Sequence, residues 1–191
     1  MTIEREIQYD TDKFRNGLMF EYLSILAPLR YKKITLLEIG IFKGGSLRFW
    51  CDYFMNPESK IIGIDISPPE DKFRENVFIY KCDQSDHIKL KTIAEKYGPF
   101  DIIIDDGSHF REETQNCFDV LLDYVVPGGF YVIEDWAVGY WEDKPQYRGM
   151  VELITETIKN VPRLKIEGMK IILDKNKAIA FFRKGIEGWI E

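Results

Sequence analysis

Residues 36–46 read Leu-Leu-Glu-Ile-Gly-Ile-Phe-Lys-Gly-Gly-Ser, an apolar run that ends in an acid and then a glycine-rich turn. A β-branched and leucine-rich run of this length suits a strand covered on both faces. Glycines directly after it let the backbone come close to a ligand or a neighbouring strand. The carboxyl end of a strand is also where open α/β sheets bind their ligands. Taken alone, the turn leaves three readings open. A dinucleotide site would want closer glycine spacing and a helix amino end facing pyrophosphate. Glu38, two places before Gly40, would repel pyrophosphate and suits a cofactor with a cationic amino-acid end and no phosphate. The third reading is a tight turn with no ligand.

Working outward, similar runs recur at Ile61–Asp65, Val77–Tyr80, Phe100–Asp105 and Gly129–Glu134. Helical spacing separates them at Phe14–Leu29, Ser46–Phe54, Ile88–Tyr97, Glu112–Val125 and Arg148–Asn160, with Pro127-Gly128-Gly129 expected to end the fourth of these. Two last runs, Leu164–Leu173 and Ala178–Arg183, flank the short turn Asp174-Lys175-Asn176-Lys177 and predict an antiparallel hairpin. The expected fold is α/β, a doubly wound, mostly parallel seven-stranded sheet with a C-terminal antiparallel hairpin. One domain spans residues 1–191, divided into an N-terminal helical segment over 1–30 and the α/β core over 31–191.

The strand ends are polar. Asp65, about one α/β unit after the glycine turn, is placed to hold a ribose diol, or else caps the turn before Pro68-Pro69. Asp83 is placed for an adenine amino group and Ser85 to cap the next helix. Three polar tips on successive strands are harder to explain by packing than any one of them.

Bulk properties narrow the classes. A chain of 191 residues, 45% hydrophobic and 30% charged, can build a core and is not disordered. Its net charge of −6 and lack of a long basic tract speak against nucleic acid as a partner. Three cysteines, an odd number without close spacing, fit a reducing compartment. No apolar run is long enough to cross a membrane, and the charged start has no signal stretch. A cytoplasmic protein is expected.

The stretches LLEIGIFKGGSLRFW (36–50), IIGIDIS (61–67), KCDQSD (81–86), FDIIIDDGSHF (100–110) and VPGGFYVIEDW (126–136) resemble class I S-adenosylmethionine-dependent methyltransferases. More narrowly they resemble the macrocin O-methyltransferase and cephalosporin hydroxylase group, with the Asp12-Lys13 pair resembling that group's opening segment. The resemblance implies a Rossmann-like methyltransferase fold with S-adenosylmethionine and magnesium. It assigns Glu38, Gly40 and Ser46 to the methionine end, Asp65 to the ribose, and Asp83 and Gln84 to the adenine. Asp105 joins these cofactor residues. Near Asn16–Phe20 the group's His and Tyr are missing, so the lid over the substrate would differ.

Carboxylates gathered at adjacent strand ends are unfavourable unless a cation or a proton compensates. Asp106, Glu134 and Asp135 match the group's metal motif and offer oxygen to a hard ion such as Mg2+. His109, three residues past Asp106, is the expected general base, acting with Asp106 on a substrate hydroxyl. The plain alternative makes these residues turn and cap formers, and His87 is expected at an exposed helix start. Trp136–Trp141 either stacks on a sugar or packs on the core, and Trp189 packs an edge or a partner subunit. The implied activity is O-methylation of a sugar-like small molecule. Related hydroxylase-like chemistry or a non-catalytic cofactor-binding module are the alternatives. The chain reads as short for its group, without an added recognition domain, and association into a homo-oligomer stays open.

Overall fold

The computed structural model describes residue 4, residues 8–141 and residues 144–188. Seven strands form one sheet: β1 Thr35–Ile39, β2 Lys60–Asp65, β3 Val77–Lys81, β4 Phe100–Asp105, β5 Val125–Glu134, β6 Ile166–Leu173 and β7 Ala178–Lys184, in the order β3-β2-β1-β4-β5-β7-β6. The first five pair in parallel, while β7 runs antiparallel to both β5 and β6. The order reverses direction between β1 and β4, the topological switch point above which such sheets bind ligands.

The continuous apolar runs follow from burial on both faces. Side chains alternate across a strand, so Leu37, Ile62, Ile103, Ile133 and Phe182 enter one core. Their neighbours Leu36, Ile61, Ile102, Val132 and Phe181 enter the other. Helices α3 (His87–Tyr97), α4 (Arg111–Leu121) and α6 (Gly149–Asn160) cover the first face through residues such as Leu90, Phe118 and Leu153. Helices α1 (Leu18–Leu26) and α2 (Gly45–Tyr53) cover the second with Tyr22, Leu26, Leu47 and Trp50. The short α5 spans Val138–Trp141.

Three elements differ from the sequence expectation. The long first helix is broken, because Gly17 at φ +82° separates a 3-10 turn at Asp12–Phe14 from α1, and Asn16 Oδ1 accepts from the Leu18 amide at 3.1 Å. Pro127-Gly128-Gly129 does not precede β5 but lies inside it, beside a register irregularity opposite Phe100–Ile102. Helix α3 is capped by Asp86, whose side chain accepts from the Lys89 amide, and Ser85 donates to Asp83 instead. The hairpin turn is as expected: Asp174 Oδ1 accepts from the amides of Asn176 and Lys177. His87 is exposed at the start of α3. Trp189 lies outside the described residues, and no helix among those described is long and apolar enough to cross a membrane.

Candidate active site

The glycine turn is fixed by its neighbours before any ligand arrives. Gly40, at φ +79°, donates its amide to Ile64 O at 2.9 Å, which ties the end of β1 to β2. A Cβ on Gly40 would strike the carbonyl of Asp106, so glycine is required where the β1 and β4 tips touch. Asp65 Oδ2 accepts from the amides of Ile41 (3.0 Å) and Phe42 (3.1 Å), and Oδ1 accepts from Ser67. The turn-forming alternative for Asp65 is therefore realised, yet Asp65 also lines the main cavity.

That cavity, about 800 Å3, lies over the carboxyl ends of the strands. Gly40, Asp65, Asp83, Gln84, Asp106, His109, Glu134 and Asp135 all line it. A second cavity of about 370 Å3 adjoins it, shares Gly40, Phe42, Asp12 and Asp106, and adds Lys13 and Ser46. Of the expected cofactor residues, two reach neither lining. Glu38 is wholly buried behind Ser46, whose hydroxyl donates to Glu38 Oε2 at 2.8 Å. Asp105 is buried beneath the cleft, where it accepts from Gln84 Nε2 (3.0 Å) and the Tyr131 hydroxyl (3.2 Å). Gln84 in turn accepts the Ser108 amide at 2.7 Å, so this pair builds the floor under Gly107-Ser108. Burial raises Glu38 to about 7, against the pull of Lys13 and Ser46. Burial likewise raises Asp105 to about 7, partly offset by Tyr131 and the Gly107 amide. Exposed Asp83 is held below its ordinary range by the Ser85 hydroxyl and amide.

The acidic centre sits where the two cavities meet. Asp106, His109 and Asp135 each bring a donor atom within 4.8 Å of the others. His109 Nε2 is 4.0 Å from Asp106 Oδ1. His109 (φ +58°) and Asp135 (φ +52°) both hold left-handed backbone, a costly conformation for non-glycine residues that clusters at functional sites. Burial, then the charge of Asp106, raises Asp135 to about 6. Glu134 stands beside this group rather than in it. Its Oε1 is claimed by Lys13 Nζ at 2.6 Å and by the Tyr22 hydroxyl at 2.5 Å. Of the expected ligands, then, Asp106 and Asp135 converge with His109, and Glu134 is held back by two inner donors. Two carboxylates and an imidazole at this spacing fit a divalent cation.

Lys13 is the residue that sequence reasoning left without a role. It is buried, with Nζ 2.6 Å from Asp106 Oδ2, 2.6 Å from Glu134 Oε1 and 3.8 Å from Glu38 Oε1. Burial alone would lower its pKa, but these three carboxylates together hold it well above the ordinary lysine range. The Asp12-Lys13 pair was the only local signal for it. Tyr22 gave none, since it falls on the apolar face of α1. Among the aromatic residues after the acids, Trp136 is buried in the core and Tyr140 is exposed.

A doubly wound sheet with β7 inserted antiparallel, an acid at the end of β2 and a cleft above the switch point define the methyltransferase class of α/β proteins. Residues 37–136 match the methyltransferase domain family, and the chain belongs to that family. It is 34% identical over 155 residues to the 8-demethyl-8-alpha-L-rhamnosyl tetracenomycin-C 2'-O-methyltransferase of Streptomyces olivaceus, covering 78% of this chain and 40% of that one. It is 40% identical over 119 residues to the demethylmacrocin O-methyltransferase of Streptomyces fradiae, covering 59% and 30%. Among solved structures it is similar to MycE methyltransferase of the mycinamycin biosynthetic pathway in complex with Mg, SAH and mycinamycin VI. The TM-score is 0.79 at 32% identity, over 95% of this chain and 54% of that one. The chain thus spans less than half the length of these curated relatives.

Proposed function

We propose that this protein is an S-adenosylmethionine-dependent O-methyltransferase acting on a hydroxyl of a sugar-like small molecule, with a divalent ion, magnesium by resemblance, held at Asp106, Glu134 and Asp135. The observation that carries this reading is the continuity of the cleft. One cavity runs from Asp65 and Asp83 at its nucleoside end to the Asp106–His109–Asp135 cluster. The complexes of MycE with Mg and SAH support it, as do the sugar O-methyltransferases among the relatives.

The chain's residues divide the work. A carboxylate offers about four acceptor sites. Asp65 spends three on turn amides and keeps capacity for a ribose hydroxyl. Ser46, Gly40 and Asp106 face the amino-acid end, with Glu38 acting from behind Ser46. Asp83 and Gln84 frame the adenine, and Asp105 keeps Gln84 in place. When bound, the ion supplies Lewis acidity and a template for a vicinal diol, and the cofactor supplies an electrophilic methyl group. His109 Nε2 takes the proton of the substrate hydroxyl, and Asp106 stabilises the imidazolium formed. Holding these groups in one cleft contributes by proximity and orientation.

The donor spacing favours one second reading, in which His109 replaces Glu134 as a ligand. His109→Ala separates the two: a general base costs turnover on the order of a hundredfold or more and leaves Mn2+ affinity intact, whereas a ligand costs affinity. The overall reading is tested by incubating the protein with S-adenosylmethionine, glycosylated acceptors and Mg2+. SAH should form one-for-one with a methylated hydroxyl, stop on chelation and return with Mg2+. Undiminished turnover after complete chelation removes the ion. A hydroxylated product without SAH, or cofactor binding without turnover, would point to the two alternatives named above. The reading places the protein in the cytoplasm, supported by three free thiols. It treats residues 1–191 as one domain, supported by the single sheet. It involves no nucleic acid, supported by the net charge of −6. Association of copies plays no part in it.

A further inference from the structure

We infer that Lys13 is a positioning residue for the acidic centre: together with Tyr22 it grips the inner oxygens of Asp106 and Glu134 and leaves Asp106 Oδ1 to a cation shared with Asp135. The inference rests on the ion site proposed above and adds the device that presents its ligands.

The bonds are selective. Lys13 Nζ meets Asp106 at Oδ2, and Asp106 Oδ1 is the atom that faces His109 Nε2. Glu134 takes both of its donors, Lys13 and Tyr22, on Oε1. Lys13 thus bridges the tips of β4 and β5, while Tyr22 pins β5 from α1. Burying an ammonium costs several kcal/mol unless it is well paired, and the pairing here is to functional acids rather than to a surface partner. The lysine also comes from outside the strands. It sits in the 3-10 turn at Asp12–Phe14, whose preceding Thr11 accepts the Lys13 amide through Oγ1.

Two effects of this cation on a second cation oppose each other. Its charge repels a divalent ion nearby. Its bonds, however, keep mutually repelling carboxylates at fixed orientation, and outer partners of metal ligands are worth ten- to hundredfold in affinity. Glu38 Oε1 is buried without a hydrogen-bond partner, and Lys13 Nζ lies 3.8 Å from it. Without Lys13, three inner acids would face one another, with the Tyr22 and Ser46 hydroxyls left on Glu134 and Glu38 and no hydrogen bond to the inner oxygen of Asp106 among the described contacts. Orientation therefore outweighs repulsion.

The test is Mn2+ titration of the full chain, followed by electron paramagnetic resonance of the free ion, with thermal unfolding run alongside. Lys13→Met should weaken Mn2+ binding about ten- to hundredfold. Lys13→Arg, which keeps charge and donors, should restore it to within about fivefold of the native value. Tyr22→Phe should cost a smaller factor, roughly threefold. Binding by Lys13→Met as tight as native, or tighter, overturns the inference, because Lys13 would then only compete with the ion. If Lys13→Met does not fold, Tyr22→Phe decides, and unchanged affinity overturns the inference. A native chain that binds no Mn2+ sinks the ion site and the inference together. A binding native chain with an indifferent Lys13→Met sinks the inference alone.

Discussion

Glu38 keeps its carboxyl in a site without solvent, with one hydroxyl donor on Oε2 and an ammonium at a distance. Burial raises it to about 7 from an ordinary value near 4.5. Between those two pH values the unfolded chain has released this proton and the native chain still holds it. Native stability from this group therefore falls as pH rises from about 4.5 to about 7, and is flat beyond. At 1.36 kcal/mol per pH unit, the loss is on the order of 3 kcal/mol. Glu38→Gln abolishes the titration, so the variant should gain on the native protein as pH rises. Urea unfolding at pH 5 and pH 8 measures it. A variant-minus-native difference that stays constant across that range would contradict the burial argument. The test reads the slope, because glutamine brings its own offset by turning an amide toward Lys13.

At the scale of elements, the glycine turn shows how much a strand end depends on its neighbour. Gly40 cannot carry a side chain, both for its positive φ and for the Asp106 carbonyl against it. Gly40→Ala should destabilise by at least about 2 kcal/mol and weaken cofactor binding, since it pushes β1 and β4 apart at the cleft. Gly168, in β6, meets nothing within 4 Å of a built Cβ. Gly168→Ala should stay within about 1 kcal/mol of native. Denaturant midpoints of the two variants make the comparison, and equal losses would count against the close approach at the switch point. The turn and the acidic strand tips were legible because their chemistry is local: glycine after an apolar run, acids at its end. The early start of β5 was not, because Pro-Gly-Gly reads as a stop in any local window, whereas pairing with β4 carries it. Nor was Lys13, since its partners lie 25, 93 and 121 residues away, and no pattern around Asp12-Lys13 encodes that distance. Glu38 and Asp105 do sit near the ends of β1 and β4. What the pattern could not say is that one lies behind Ser46 and the other beneath Gln84.

For the whole molecule, the cleft lies over the junction of most of the sheet, so a ligand there touches loops after β1, β2, β3, β4 and β5. Binding should then stabilise the native state globally rather than order one loop. SAH at a hundred times its Kd should add about 2.7 kcal/mol. For a chain of this size that corresponds to roughly 5–11 °C in Tm. Thermal unfolding with and without SAH reads it, and adenosine alone at the same concentration should give less. No shift with SAH at saturating concentration would remove the cofactor from the proposed cleft.

The seam between β5 and β6 has a further meaning for the newborn polypeptide. Its gap is filled by β7, which follows the other six strands of the sheet in the sequence. Until it emerges, β5 has an open side, and the places of Ile179 and Phe181 in one apolar layer and of Ala180 and Phe182 in the other stand empty. The cleft stands at risk with them, since the Asp135 amide donates its hydrogen bond to Ala178 O. The loop after β5 that carries Asp135 therefore acquires its final shape only once β7 has docked.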